Sequence, residues 1–409
     1  MTRGKRMAIA VVALAGLATG AGWMAHHTGY DESVFVNGLG PDEHESILYV
    51  WTRDADGRDD DFIAVIDADP ESPTYGELIE TASAGEAGNE AHHFGYTVET
   101  DRIFAGGLFS NRVFIYDVET DPRRPEVIRT VDLDPTGYGG PHTLYAVPGG
   151  MLLAMLGSVD GGGPGGLVRT DDDGRVLETL PAPDHEGAPI YMYDVGIKPE
   201  MNRMITSSWA FPEHIHDGLS PPEHTGDDVV VWDWERGEVL QVETLDKAPL
   251  EVRWMHGPDG LGGFINAAYG ATVWYWEDAD EDGELEFHRV IRLPEGSTPA
   301  DMRISYDNRF LYVSLFGGGE VRQYDVSDPH RPRLVDTVEL PHPNMMKLTP
   351  DSRRLYVSNS LLTPLDPDER FGVWLLHVGP EGMEVDPTFD PDFRNLPTGP
   401  AGPHDMLLK

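Results

Sequence analysis

The sequence predicts an all-β protein, a seven-bladed β-propeller closed by its C-terminal strand. Three observations lead there. A short apolar segment ending in an acidic or polar residue recurs roughly every fifty residues, a period typical of propellers and repeat arrays. A second apolar segment precedes each of these. Gly and Pro are abundant, at 46 and 33 residues, which favours many short strands over long helices.

The recurring segments are FIAVID, VFIYD, GLVRTD, VVVWD, TVWYWE, VRQYD and VWLLH, ending at Asp67, Asp117, Asp171, Asp233, Glu277, Asp325 and His377. RIFAGG, GMLLAML, RMITSSW, GFINAAY, RFLYVSLF and RRLYVSNS are the segments that precede them. The clearest internal pair is FIYDVETDPRRPEVIRTVDL and RQYDVSDPHRPRLVDTVEL, each a strand, an Asp-Pro turn and a second strand. Adding the strand before each pair and the one after gives four antiparallel strands per repeat, which is one blade. Two separate β-sandwiches would not produce one constant repeat.

The chain ends predict closure. The first repeat opens abruptly with SILYVW and lacks its innermost strand, while GPHDMLLK is a lone terminal strand. Docking residues 404–409 into the first blade supplies the missing strand and removes an open edge. At the other end, residues 1–6, MTRGKR, are basic and residues 7–25 are apolar, small and uncharged. This is the pattern of a signal peptide or an uncleaved N-terminal anchor. No Arg-Arg pair is present, so Sec-type export is expected, with the protein periplasmic or extracellular. Residues 1–30 are therefore set apart from a propeller domain spanning residues 31–409.

Composition excludes several functions. Thirty Lys and Arg against 71 Asp and Glu give a net charge of −41. Such a surface repels nucleic acid and anionic lipid, leaving membrane contact only to the N-terminal segment. The acidity, with Lys scarce and Arg carrying most of the positive charge, reads as adaptation to high salt or as the mark of a GC-rich genome. The loops DADGRDDD and EDADEDGE lack the spacing of a calcium loop and read as solvated turns. The absence of cysteine excludes disulfides, Cys-ligated metal and a Cys nucleophile.

The stretch NEAHHFGY sets two histidines side by side. Neighbouring residues of a strand point to opposite faces. His92 and His93 can both turn inward only at a strand start or a bulge, and Gly95 just beyond permits irregular backbone. Counting back from the turns, His92 and His93 open the innermost strand of blade 2, and His142 opens that of blade 3. Tyr193 and Asp194 fall there in blade 4, Asp301 in blade 6, Asn344 and Met345 in blade 7. His404 begins the closing strand of blade 1, and His256 lies along the inner strand of blade 5. Imidazoles from three adjacent blades at one level of a ring can converge on copper, zinc, iron or nickel. Hydrogen-bonded channel histidines without metal are the other reading. His214, His216 and His224 lie in a Pro-rich loop, while His288 and His330 read as surface strand and turn residues.

The stretches RQYDVSDPHRPRL, VVVWDWERGEV, LEVRWMHGPDG, EAHHFGY and DADPESPTYGELI resemble the selenium-binding protein / methanethiol oxidase family, from about residue 46 to the C-terminus. The resemblance implies a seven-bladed propeller. It also implies an exported, copper-dependent oxidase that converts methanethiol, oxygen and water to formaldehyde, hydrogen sulfide and hydrogen peroxide. The family's metal-associated histidines fall on His92, His93, His142 and His404, and a further family histidine, a cofactor contact, falls on His256. The family's Cys-rich motif and selenium-associated cysteine are absent here, so covalent selenium capture by a thiol is not expected. The insertion before the last blades is also shortened, and His342 stands where the family has small residues, as a turn residue or an added ligand.

For such a reaction Asp194 and Asp301 are the candidate catalytic carboxylates, orienting a ligand or moving protons. Tyr193 and Trp254 are candidate walls of a pocket for a methyl group. Two other readings stay open: a non-catalytic scaffold binding a metal, a thiol or a partner, and a calcium-dependent hydrolase, which would need carboxylates in the channel instead of histidines.

Overall fold

A continuous apolar strand such as FIAVID has no polar face to offer water, so it must be covered on both sides. In the computed structural model this is what happens: Phe62–Asp67 is buried along its whole length between neighbouring blades. The structure describes Leu39 and residues 43–210, 212–215, 224–279, 283–366 and 371–409. The basic-apolar start, His216 and residues 280–282 of the second acidic loop lie outside the described residues.

Seven four-stranded antiparallel sheets stand in a ring. The inner strands of blades 2 to 7 are Ala91–Tyr96, Tyr138–Val147, Val195–Lys198, Pro249–Trp254, Pro299–Ile304 and Met346–Leu348. Outer strands such as Glu126–Asp132 and Glu238–Thr244 alternate between half-buried and exposed residues. Among the described residues no helix is long and apolar enough to cross a membrane. In the first acidic loop, Asp54 and Asp56 accept bonds from the amide of Arg58, at 2.7 and 3.2 Å, and so serve as turn caps.

Ring closure follows the expectation. Ala401–Leu408 pairs antiparallel with Ile47–Asp54 as the inner strand of blade 1. Met406 and Leu408 join the core shared with Leu48, Val50 and Phe62. The Leu408 carbonyl accepts from the Tyr96 hydroxyl of blade 2 at 3.1 Å, which ties the closing strand to the next blade.

The inner strands share a defect in register. Ala91 pairs with Gly107 and Phe94 with Ala105, so His92 and His93 together oppose Gly106 alone. The same shift sets His142 and Thr143 against Ala154, Leu250 and Glu251 against Asn266, and Ala300 and Asp301 against Ser314. In blade 1 the shift falls between Asp405 and Pro403, at His404. These are β-bulges, which set two residues against one and re-aim a side chain. Several of the loops leading into the inner strands pass through left-handed backbone at non-glycine residues: Glu90 (φ 57°), Ala248 (φ 60°), Thr298 (φ 46°) and His342 (φ 47°). Gly95 is needed for close approach, because a Cβ there would sit 2.5 Å from the Leu144 carbonyl oxygen of blade 3.

A chain ending at residue 400 should lose cooperative folding and aggregate, as read by circular dichroism and size exclusion. Burial of Met406, Leu407 and Leu408 contributes about 5–9 kcal/mol, comparable to the ~5–15 kcal/mol stability of a whole domain, and the truncation exposes an edge strand.

Candidate metal centre

The bulges bring four imidazoles together on the ring axis. His92, His93 and His404 each offer a ring nitrogen within 4.8 Å of the others and could hold a metal ion. The Nε2 of His142 lies 3.0 Å from that of His92. The His92 and His404 rings stack at 3.8 Å between centroids, and His93 stands across His142 at 4.3 Å. All four are buried, which pushes the pKa of His92 and His142 well below the ordinary histidine value and that of His404 down to about 3.

Three of the four outer ring nitrogens are held by acceptors, while His92 Nδ1 is buried with no hydrogen-bond partner among the described residues. His93 Nδ1 lies 3.2 Å from Asp405 Oδ2, and His404 Nδ1 lies 2.9 Å from the Ser360 carbonyl oxygen. His142 Nδ1 lies 3.3 Å from Thr143 Oγ1, whose own proton goes to Asp194 Oδ1 at 2.7 Å. An Nδ1–H donated outward leaves Nε2 as an inward lone pair, the tautomer a metal ligand needs. The Nε2 atoms of His93 and His404 are buried and have no hydrogen-bond partner. Asp405 keeps the pKa of His93 raised against the opposing effect of burial.

A loop within blade 7, between its strands Arg354–Ser358 and Val373–Gly379, covers the cluster, and two buried anchors hold it down. Arg53 Nη2 pairs with Asp366 Oδ2 at 2.6 Å, and the Thr363 hydroxyl donates to Glu90 Oε2 at 2.6 Å. That loop supplies the Ser360 carbonyl beneath His404. Leu361, Leu362 and Leu365 from the same loop meet Trp209, Leu250 and Tyr193 in a small apolar chamber of about 30 Å³ against His92 and His404. Tyr193 lies 3.7 Å from the His142 ring.

On the other side of the cluster a charged channel of about 170 Å³ runs down the ring axis, lined by His93, Asp405, Lys347, Glu251, Arg253 and Arg303 among others. Arg253 sits among three carboxylates: Asp194 Oδ2 at 2.8 Å, Asp301 Oδ1 at 2.9 Å and Glu251. Burial pushes the Glu251 carboxyl up to about 8, opposed chiefly by Arg253, and pushes the Lys347 ammonium down to about 8.

The candidate site residues singled out in the sequence therefore each have a definite place. His92, His93, His142 and His404 share one site. Asp194 adjoins it through Thr143, but its other oxygen accepts from Arg253 and from the Val252 amide at 2.7 Å. Asp301 is fully buried at the blade 6 bulge, where it accepts from the Met302 and Met346 amides at 2.7 and 2.8 Å and from Arg253 and Arg303. Both carboxylates are occupied as anchors of the inner strands. His256 departs from the expected position: it lies beyond the end of the blade 5 inner strand, at the far end of the channel. There it stacks on Tyr306 at 4.3 Å with Nε2 3.1 Å from the Ile304 carbonyl oxygen, and the turn after Trp254 carries it away from the histidine cluster. Trp254 also lines this far end, against Trp276. His342 is a turn residue, its Nδ1 3.1 Å from the Phe316 carbonyl oxygen.

Glu251, Arg253, Lys347 and Asp405 were missed by sequence reasoning. Their signal was present: each is a charged residue inside an apolar inner strand, near the register of the histidines.

Fold and site together define a β-propeller with a polyhistidine centre on its axis. The chain belongs to the 56 kDa selenium binding protein family, whose sequence profile matches residues 37–409. It is 32% identical over 374 residues to a methanethiol oxidase of Hyphomicrobium sp., covering 87% of this chain and 85% of that one. To the methanethiol oxidase of Homo sapiens it is 29% identical over 444 residues, covering 90% and 93%. The crystal structure of a hypothetical selenium-binding protein from Sulfolobus tokodaii superposes with a TM-score of 0.81 at 28% identity, covering 93% of this chain and 97% of that one.

The Glu251 carboxyl, raised from 4.5 to about 8, binds a proton in the folded state that the unfolded chain has released, so it should cost stability as pH rises through that window. Glu251→Gln should match the parent in denaturant unfolding near pH 4.5, become progressively more stable than it up to about pH 8, and hold that advantage above. A constant difference across this range would exclude the assignment.

Proposed function

We propose that this protein is an exported, copper-dependent methanethiol oxidase that converts methanethiol, oxygen and water to formaldehyde, hydrogen sulfide and hydrogen peroxide. The observation that carries this reading is a buried set of four imidazoles, three of them with Nδ1 held by an outer acceptor so that Nε2 faces the others, in a chain of a family whose relatives include methanethiol oxidases. A nitrogen-only donor set suits copper or zinc. Zinc has no redox chemistry, whereas reduction of oxygen requires it. His92, His93, His142 and His404 would hold the ion, and copper bound there would supply electron transfer between sulfur and oxygen.

The protein's own groups then divide the work by polarity. The apolar chamber, walled by Leu362, Trp209 and Tyr193, seats the methyl group and excludes bulk water on that side. The charged channel on the opposite side admits water and carries protons and polar products. Asp405 holds the proton on His93 Nδ1, which keeps His93 Nε2 directed inward. Asp194 does the same for His142 at one remove, through Thr143. The basic-apolar N-terminus supports export to the periplasm or beyond.

Protein purified without added metal should contain about one copper per chain, as expected for a single mononuclear imidazole site. It should release sulfide and peroxide from methanethiol. His92→Ala with His93→Ala should abolish both metal and turnover. Copper retained by this variant would remove the assignment, while metal and thiol binding without turnover would favour a scaffold.

Leu362→Ala enlarges the chamber. Since one methylene in an apolar pocket is worth about 10- to 200-fold, kcat/KM for ethanethiol relative to methanethiol should rise about tenfold or more. An unchanged ratio would place the methyl group elsewhere.

A further inference from the structure

We propose a second metal site, for a zinc-class divalent cation, on the outer part of blade 5 where it meets a turn of blade 6. Its ligands are Glu277, His288 and His330. Each presents one ligand atom, and these atoms lie within 4.8 Å of one another. His330 Nε2 is 2.9 Å from Glu277 Oε1, and His288 Nε2 is 3.9 Å from the same oxygen. With metal–ligand bonds of 2.0–2.2 Å, tetrahedral ligands sit ~3.3 Å apart, so these spacings bracket what zinc requires.

Sequence and register explain the convergence. Glu277 ends the strand Thr272–Glu277, and His288 lies in the adjacent strand Glu286–Arg292. Tyr275 pairs with His288 and Glu277 with Glu286, so all four side chains share one face. His330 comes from the Asp-Pro turn of blade 6, where its amide donates to Asp328 Oδ1 at 3.2 Å.

Three features point to a cation. Glu277 and Glu286 are carboxylates directly opposite one another, an arrangement that destabilises a sheet unless positive charge lies between them. His288 Nε2 reaches toward both, at 3.9 and 3.8 Å, yet this atom is shielded from solvent and has no hydrogen-bond partner among the described residues. A buried, unsatisfied ring nitrogen is costly. Finally, the Tyr275 hydroxyl donates to Glu277 Oε2 at 3.4 Å, which fixes the carboxylate with Oε1 toward the imidazoles, as an outer-shell partner does in a metal site. Two imidazoles and a carboxylate are a zinc donor set with room for water in the fourth position. Glu277 and His288 are half-buried and His330 is exposed, so the ion is exchangeable, and it clips blade 5 to blade 6.

Zinc titration of metal-free full-length protein, by calorimetry and equilibrium dialysis, tests this. A zinc equivalent should disappear, or weaken at least tenfold, in His330→Ala and in Glu277→Gln, and should persist in His92→Ala. His330 is an exposed turn residue, so its variant should keep the parent circular dichroism. Zinc should also raise the thermal midpoint of the parent by several degrees more than that of His330→Ala. Zinc stoichiometry and affinity unchanged in both His330→Ala and Glu277→Gln, or no zinc bound by the parent, would overturn the site and leave an ordinary histidine–glutamate ion pair. Because the lost equivalent is assigned by variants remote from the ring axis, this outcome is independent of whether the axial histidines bind copper.

Discussion

The axial site depends on one backbone constraint: a bulge near the start of the inner strands. A regular strand would send His92 inward and His93 into the neighbouring blade, or the reverse. The bulge against Gly106 lets both rings join the cluster. Its repetition sets His142, Glu251, Asp301 and His404 near one level of the ring. Small or polar residues opposite the bulges, among them Gly106, Ala154, Asn266 and Ser314, give the extra residue room or a hydrogen bond. The Asn266 side chain accepts from the Glu251 amide at 3.0 Å, and the Ser314 hydroxyl accepts from the Asp301 amide at 2.9 Å.

The centre so formed separates two environments. Above it lies a chamber of Leu, Trp and Tyr; below it a channel in which carboxylates, guanidinium groups and an ammonium answer one another. Charges this deep are tolerable only when paired and hydrogen-bonded. Arg253 among Asp194, Glu251 and Asp301 meets that demand, and the same contacts lash together the inner strands of blades 4, 5 and 6. The acidic residues of the channel are thus bound into the scaffold, which leaves the imidazoles as the groups free to bind a metal.

Much of the fold was legible because a repeat is a one-dimensional signal. The apolar segment ending at Asp67, Asp117 or Asp325 marks a blade whatever its neighbours do, and the unmatched strand in GPHDMLLK demanded a partner. The histidines could be placed because they recur near the strand starts. His256 could not, since a turn of a few residues after Trp254 carries it past the strand end and apolar periodicity does not mark where a strand stops. Neither could the role of Asp301, which depends on Arg253 and Arg303 from positions whose charge alternates with apolar residues along a strand. The pairing of Glu277 with His288 needs register across a hairpin, and its meeting with His330 needs the packing of one blade against the next.

Closure of the ring by Ala401–Leu408 has a temporal consequence. His404 is made after every other imidazole of the cluster, and it reaches the axis only when its strand docks beside Ile47–Asp54, across more than 340 residues of intervening chain. During synthesis the nascent polypeptide therefore holds an incomplete donor set. Tight capture of an ion there would have to wait for the last strand, so the complete imidazole set and the sealed ring come into being in the same event.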